Sequence, residues 1–189
     1  LDVGRDEAIL GATVGLLGER GFDRFTVQDI ADRAGVGLGA IYRRWPTKLD
    51  VVVAAVRLVD ESEPFPELSG DVEEDLAQAL LATVRRLSGC LGAILPGLVS
   101  ATRDDPELAR LLRETAVAPR LELLRRILAG AISNRAELDL RAEMAEAIVL
   151  YRFLLGDVLP TKREIRGRIV PLLLGRPPTA QTPAARRRR

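Results

Sequence analysis

Apolar positions recur at steps of three and four along nearly the whole chain, and no stretch alternates with the two-residue period of a half-buried strand. Between residues 5 and 20, Ala8, Ile9, Ala12, Leu16 and Leu17 fall on one helical face, with Gly21 behind them as the terminating residue. Gly11, Gly15 and Gly18 each cost this helix about 1 kcal/mol relative to alanine, so it must lean on tertiary packing or admit a close helix contact. Thr26 stands as N-cap before Val27, Gln28 and Asp29, close to a capping box with Asp in place of Glu or Gln, and a second helix runs to about Ala34. Gly35 makes a turn, Val36 plugs it, and a short third helix carries Leu38, Ile41 and Tyr42 until Pro46 ends it. Thr47 caps a fourth helix whose Leu49, Val52, Val53 and Val56 face inward.

Pro64-Phe65-Pro66 marks a loop, after which Leu76, Leu80, Val84, Leu87 and Leu91 form the stripe of a long amphipathic helix. Its acidic first turn suits the positive end of the helix dipole. Shorter segments follow at Leu91 to Thr102 and from Asp105-Pro106 to Ile132, the latter interrupted by Pro119. Residues 141–156 carry Met144, Ile148, Tyr151 and Leu155 on one stripe and Val149, Leu150, Phe153 and Leu154 on others, which predicts a helix buried on two sides. A final helix from about Thr161 carries Ile165, Ile169, Leu172 and Leu173, and Pro171 kinks or ends it. The class is all-α, without a repeat of fixed period.

Composition removes whole classes of chemistry. The 189 residues include no histidine and a single cysteine, Cys90, which excludes a disulfide within one chain, a zinc site built on Cys or His, and any Ser-His-Asp or Cys-His pair. No metal or cofactor motif is present, no cofactor is expected, and the chain does not read as an enzyme. Cys90 reads as a small buried hydrophobe rather than a redox sensor. The most continuous apolar stretch, Gly89 to Ala101, is far short of the roughly 20 residues a bilayer requires, so a cytoplasmic protein without a membrane span is expected.

A near-neutral balance of 28 basic and 27 acidic residues hides segregation. Residues 33–48 hold Arg33, Arg43, Arg44 and Lys48 without an acid, whereas residues 60–75 hold eight acids without a base. Residues 176–189 close in Arg186 to Arg189 and read as a disordered basic tail, either merely solvated or touching nucleic acid nonspecifically.

The second and third helices, joined through Ala34-Gly35-Val36-Gly37, have the layout of a helix-turn-helix, whose second helix enters the major groove while neighbouring groups hold phosphates. Tyr42, Arg43, Arg44 and Lys48 supply donors, and Lys48 sits in the first turn of the fourth helix, where the dipole also attracts an anion. Ile41 takes the inward slot, leaving Tyr42 with a polar tip suited to phosphate, and Trp45 reads as packing between the third and fourth helices.

The stretches Ala8-Ile9-Leu10, Glu19-Arg20-Gly21-Phe22, Thr26 to Ala31, Ala34-Gly35-Val36 and Ile41 to Lys48 together closely resemble the N-terminal domain of the TetR family of bacterial transcriptional regulators. The resemblance covers about residues 5–57. It implies a helix-turn-helix DNA-binding domain over residues 1–47, with the recognition unit at 26–45, and a helical effector-binding and dimerisation domain over 48–175. It also implies that Tyr42 and Lys48 match phosphate-contacting positions, and that Thr26, Gln28 and Gly37 to Arg44 match positions near bases or backbone. Gly37, Leu38, Gly39 and Ala40 depart from the pattern, because the start of the recognition helix usually offers hydroxyl or longer polar side chains. Base reading would then fall to Gln28 for adenine, Arg43 or Arg44 for guanine, and Leu38 or Ala40 for thymine methyls, with deformability of the site supplying the rest.

The resulting expectation is a homodimer, paired through residues 141–174, that binds a palindromic double-stranded DNA operator and is released by a small molecule of unknown identity. Val84, Leu87, Leu95, Leu98, Leu111, Leu112, Met144 and Ile148 are candidates to line an apolar pocket, and the fourth helix is the natural lever to the DNA. Arg152, alone in an apolar helix, requires an acidic ligand or a carboxylate partner within the chain or across the dimer. A helical small-molecule carrier or enzyme and a nonspecific DNA binder are the readings from other classes, and an activator is a variant of the main one.

Overall fold

Each break between helices coincides with a side chain or a glycine able to satisfy the helix ends. In the computed structural model, which describes residues 3–62 and 64–178, α1 (Val3–Arg20) leads through a 3-10 turn (Phe22–Arg24) to α2 (Val27–Ala34), α3 (Leu38–Tyr42) and α4 (Lys48–Glu61). Thr26 and Asp29 close a full capping box on α2: the Thr26 N–H donates to Asp29 Oδ2 at 2.7 Å and the Asp29 N–H to Thr26 Oγ1 at 3.2 Å. Thr47 and Asp50 repeat the arrangement on α4. Gly35, at φ 66° and ψ 34°, takes the left-handed geometry that glycine adopts without penalty, and the Val36 N–H then returns to the Ala31 carbonyl at 3.0 Å. Ile9, Leu16, Leu17, Phe25, Ile30 and Ile41 form the core of this unit.

The body consists of α5 (Val72–Ser88), α6 (Cys90–Ala101), α7 (Pro106–Leu112), α8 (Ala118–Leu128), α9 (Arg135–Leu154), α10 (Lys162–Glu164) and α11 (Val170–Leu173). Asp71, Asp105, Asn134 and Thr161 cap the helices that follow them. No strand and no single helix long and apolar enough to cross a membrane occurs among the described residues. Part of the eight-acid segment is paired: Asp60 meets Arg86, Glu73 meets Arg176, Glu74 meets Arg166, and buried Asp75 accepts from the Ser69 N–H and hydroxyl and the Gly70 N–H.

Two prolines behave differently from the expectation. Pro119 does not interrupt the helical run, which continues from α7 through a π turn (Arg113–Val117) into α8; Pro171 likewise follows a π turn (Ile165–Ile169) and starts α11 instead of ending the helix. Proline lacks the N–H that would bond the carbonyl four residues back and its ring crowds that carbonyl, so a wider turn placed just before it removes the conflict. Cys90 is exposed, not buried, because α5 stops at Ser88 and the chain bends by 80° into α6. Of the tail, residues 176–178 run as coil, and Arg186 to Arg189 lie outside the described residues.

The two halves meet at α4 and at a glycine crossing. α4 packs on α1 on one side and on α6, α7 and the π turn on the other. Where α6 crosses α1, a Cβ on Gly97 would lie 3.0 Å from the Gly21 Cα, and one on Gly18 would sit 3.7 Å from the Ala93 Cβ, so backbone lies almost against backbone. Gly15 in turn accommodates the Arg33 guanidinium, which reaches across α1 to Glu19. Gly92 has no room for a side chain at all: a Cβ there would fall 1.9 Å from the Leu87 carbonyl oxygen.

The Glu74–Arg166 pair fastens the start of α5 to the C-terminal helices. Hydrogen bonds from Arg166 and then Gln78 hold the Glu74 carboxyl at about 2, against an ordinary 4.5. Because the folded-state value is depressed, the pair's stabilisation is complete above about pH 4.5 and is lost as pH falls toward 2. Glu74→Gln should therefore lower the melting temperature at neutral pH, with the gap to wild type closing by about pH 2; a constant gap in thermal melts would assign the effect to packing. Gly92→Ala should destabilise by roughly 1–3 kcal/mol in denaturant titrations, as overpacking does, and a neutral result would mean that the corner before α6 relaxes freely.

Candidate nucleic-acid interface and cavity

Ile41, fully buried, anchors α3 so that Tyr42 stands 45% exposed on the outer surface. Gly37 and Gly39 have open space around them, and Gly37 has an ordinary φ of −72°, so neither backbone strain nor packing demands glycine there. Their effect is to leave the outer face of α3 bare, as a shallow notch bordered by Arg5, Val36, Ala40 and Arg43. Leu38 and Ala40 are half-buried, with Leu38 packed against the core.

The polar candidates differ in how much each has left to offer. Thr26 is exposed, but its hydroxyl is engaged with Asp29 in the capping box. Gln28 is exposed and donates from Nε2 to Asp32 Oδ1 at 2.6 Å, so bidentate pairing with adenine requires that bond to open. Lys48 is half-buried: Nζ donates to the Phe22 carbonyl at 2.5 Å and lies 4.6 and 4.3 Å from the Phe22 and Phe25 ring centres. Burial lowers its pKa, with Asp23 and Asp29 opposing the shift. Lys48 thus ties the start of α4 to the turn before α2, with one ammonium proton on the Phe22 carbonyl and the charge lying over two ring faces.

The arginines separate as well. Arg33 is bound to Glu19 and Arg44 to Asp6 of α1. Arg43 is exposed and has no ion-pair partner among the described residues. Of the two arginines equally eligible by sequence, Arg43 has the uncommitted guanidinium and Arg44 braces α3 against α1.

Behind this unit, α4 to α9 surround a cavity of about 480 Å³. Leu87, Leu91, Leu95, Leu98, Leu112 and Leu121 supply most of its aliphatic wall, with Val56 of α4 and Val117 and Leu150 completing it. One wall is charged. Arg86, 4% exposed, donates to Asp60 Oδ1 at 3.0 Å and the Asp60 carbonyl at 3.4 Å, and lies over the Phe65 ring at 4.6 Å. Arg120 contacts Asp60 at 3.5 Å and approaches Glu146 Oε1 with Nε at 3.6 Å. Burial pushes the Glu146 carboxyl up from its ordinary value, against the pull of Arg120, a hydrogen bond from Thr83 and the charge of Arg86.

Five of the nine expected pocket residues are not on the cavity wall. Leu87, Leu95, Leu98 and Leu112 are; Val84, Leu111, Met144, Ile148 and Arg152 are not. Val84 and Ile148 pack against the core, Leu111 is half-buried outside the lining, and Met144 faces outward on α9. α9 buries Leu138, Ala142, Ala145 and Val149 against the body, which turns Met144 to the opposite side. Arg152 forms a bidentate pair with Glu164 at 3.0 and 2.7 Å, the intramolecular outcome. The lining residues missed include apolar ones such as Val56, Leu91, Leu121 and Leu150, and the charged Arg86, Arg120 and Glu146, with Asp60 behind them as the partner of both arginines. The signal of the charged lining was register: Arg86 lies three residues after Thr83, Arg120 three before Leu123, and Glu146 four after Ala142, all on inward stripes.

Comparison with known proteins gives a consistent result. Residues 9–55 match the model of bacterial regulatory proteins of the tetR family, and residues 66–172 match a tetracyclin repressor-like C-terminal domain. An HTH-type transcriptional regulator of Mycobacterium tuberculosis is 31% identical over 90% of this chain and 86% of its own length. A DNA-binding transcriptional repressor of Mycobacteroides abscessus is 28% identical over 88% of this chain and 90% of its own. Among solved structures, a TetR family transcription regulator superposes with a TM-score of 0.63 at 27% identity, covering 91% of this chain and all of that one.

The difference between the two arginines is directly measurable. Arg43→Ala should weaken duplex binding by about 1–3 kcal/mol while leaving the melting temperature unchanged, whereas Arg44→Ala should lower thermal stability and affect binding less. Fluorescence anisotropy on a bound duplex, paired with thermal melts, checks both; the reverse order of binding losses would assign base or phosphate contact to Arg44.

Proposed function

Because the chain belongs to the TetR family of bacterial regulatory proteins, we propose that it is a homodimeric repressor of the cytoplasm that holds a palindromic operator and is released when a small molecule occupies its cavity. That it is a DNA-binding transcriptional regulator follows from the family; dimeric operator reading and release are the proposal. The observation that carries it is the placement of α4. Lys48 at its first turn lies at the proposed DNA surface, Val56 lines the cavity, and Asp60 near its last turn holds Arg86 of the cavity wall from behind. Fourteen residues of helix span about 20 Å, so a displacement of the Asp60 end is carried rigidly to the Lys48 end. A ligand has this effect only through a higher affinity for the displaced state.

Dimer formation is supported by a stripe left bare on the single chain. Leu140, Met144, Tyr151, Leu154 and Leu155 are exposed along one side of α9, Tyr151 and Leu155 each by 63%, and Leu172 of the adjoining α11 is exposed beside them. A second copy covering residues 141–174 about a two-fold axis would bury this face and set two α3 helices about one DNA turn, or a multiple, apart. In that arrangement Tyr42 and Lys48 position the phosphates, and Arg43, Gln28, Leu38 and Ala40 face the bases across the bare glycines.

Selection of bound duplexes from a random pool tests the reading. A palindrome should be enriched, and Tyr42→Ala and Lys48→Ala should weaken its binding without altering the half-site sequence. A Tyr151→Glu, Leu155→Glu variant should sediment as a folded monomer and lose roughly a hundredfold or more in palindrome affinity, since each unit then holds only one half-site. Enrichment of a single unrepeated half-site, or full affinity from the monomer, would overturn the dimeric operator.

A further inference from the structure

We propose that the cavity takes an aliphatic carboxylate, its hydrocarbon body against the leucine and valine walls and its head received by Arg120. This rests on the cavity being the effector site. The walls argue for the body. Among the described residues no aromatic side chain lines the cavity, so nothing there selects a flat ring by stacking or cages a cation against π faces. Its volume of about 480 Å³ falls in the range of small-molecule sites.

The charged wall argues for the head. Arg86 is committed to Asp60 through two hydrogen bonds and to the Phe65 ring. Arg120 is differently placed. Its contact with Asp60 is long, at 3.5 Å, and its Nε, although buried, has no hydrogen-bond partner; the nearest carboxylate oxygen, on Glu146, stands 3.6 Å away. Nε itself is closed off from the cavity, so the guanidinium is held in the wall only by long contacts, and a carboxylate meeting its cavity-facing edge would supply the short charge-assisted bond it lacks. The planar guanidinium matches a carboxylate in shape, whereas an alcohol offers a single neutral oxygen and an ammonium has no acceptor to give. Glu146 and Glu143 are the opposing features, being the groups that would favour a cation. Glu146 is held beside Arg120 and within the field of Arg86, which offset part of its charge.

Three ligands with one body and different heads separate these effects: dodecanoate, dodecanol and dodecylammonium, each below its micelle concentration, titrated calorimetrically into the intact protein. Dodecanoate should bind at least about tenfold more tightly than the other two. Arg120→Leu should remove that preference while leaving dodecanol binding within a few-fold. Because Arg120→Leu takes the nearest cation from largely buried Glu146 and is prone to unfold, Leu95→Trp provides an independent variant; by filling the cavity it should abolish dodecanoate binding in a folded protein. Equal binding of all three, tighter binding of dodecylammonium, no binding of dodecanoate, or its persistence in Leu95→Trp would each overturn the proposal. Release of a bound operator duplex is followed in parallel. Release by an amine or an alcohol alone would keep the ligand-released repressor and reject the carboxylate, whereas dodecanoate binding without release would keep the carboxylate site and reject the release.

Discussion

A buried guanidinium must keep its carboxylate, and Arg86 imposes that constraint on the whole molecule. It lies on α5 at the cavity wall, and its acid, Asp60, is supplied by α4. Removing one partner of such a pair typically costs about 3–5 kcal/mol, because the other is left charged in a medium that cannot solvate it. The end of α4 is therefore not free to wander from the body. The same Asp60 also lies within reach of Arg120 of α8, which links three helices through one carboxylate. A hydrophobic contact at this point would hold α4 as well, but it would not be sensitive to the charge of a neighbouring molecule. The ionic contact is.

The N-terminal unit was legible in the sequence because its determinants are local. Thr26 and Thr47 each sit three residues ahead of an aspartate that completes a capping box, and Gly35 stands where the chain needs a positive φ. Ile41 and Tyr42 divide into inward and outward residues within one turn. None of these inferences requires knowledge of what lies elsewhere in the chain.

The body was legible only in outline, for physical reasons that can be named. Periodicity identifies a stripe but not what covers it, so Met144 looked like cavity lining when it belongs to the exposed side of α9. Pro119 looked like a break because its cost is local, whereas the π turn that relieves it is a property of the helix preceding it. Arg44 and Arg43 were equivalent as sequence neighbours, and only the approach of Asp6 from α1 distinguishes them. Charged residues on inward stripes, such as Glu146, are illegible to an apolar pattern, although their position on a buried face marks them as paired groups.

The glycine crossing between α6 and α1 has a mechanical consequence. Gly97 and Gly21 touch with no side chain between them, so the contact has no rotamers with which to absorb a displacement. One side of α6 carries Leu91, Leu95 and Leu98 into the cavity, and another carries Gly97 onto α1. The DNA-reading unit is thus held to the body along this crossing as well as through α4. The crossing has no soft element, so a shift of α6 at the cavity would reach α1 only as a movement of backbone.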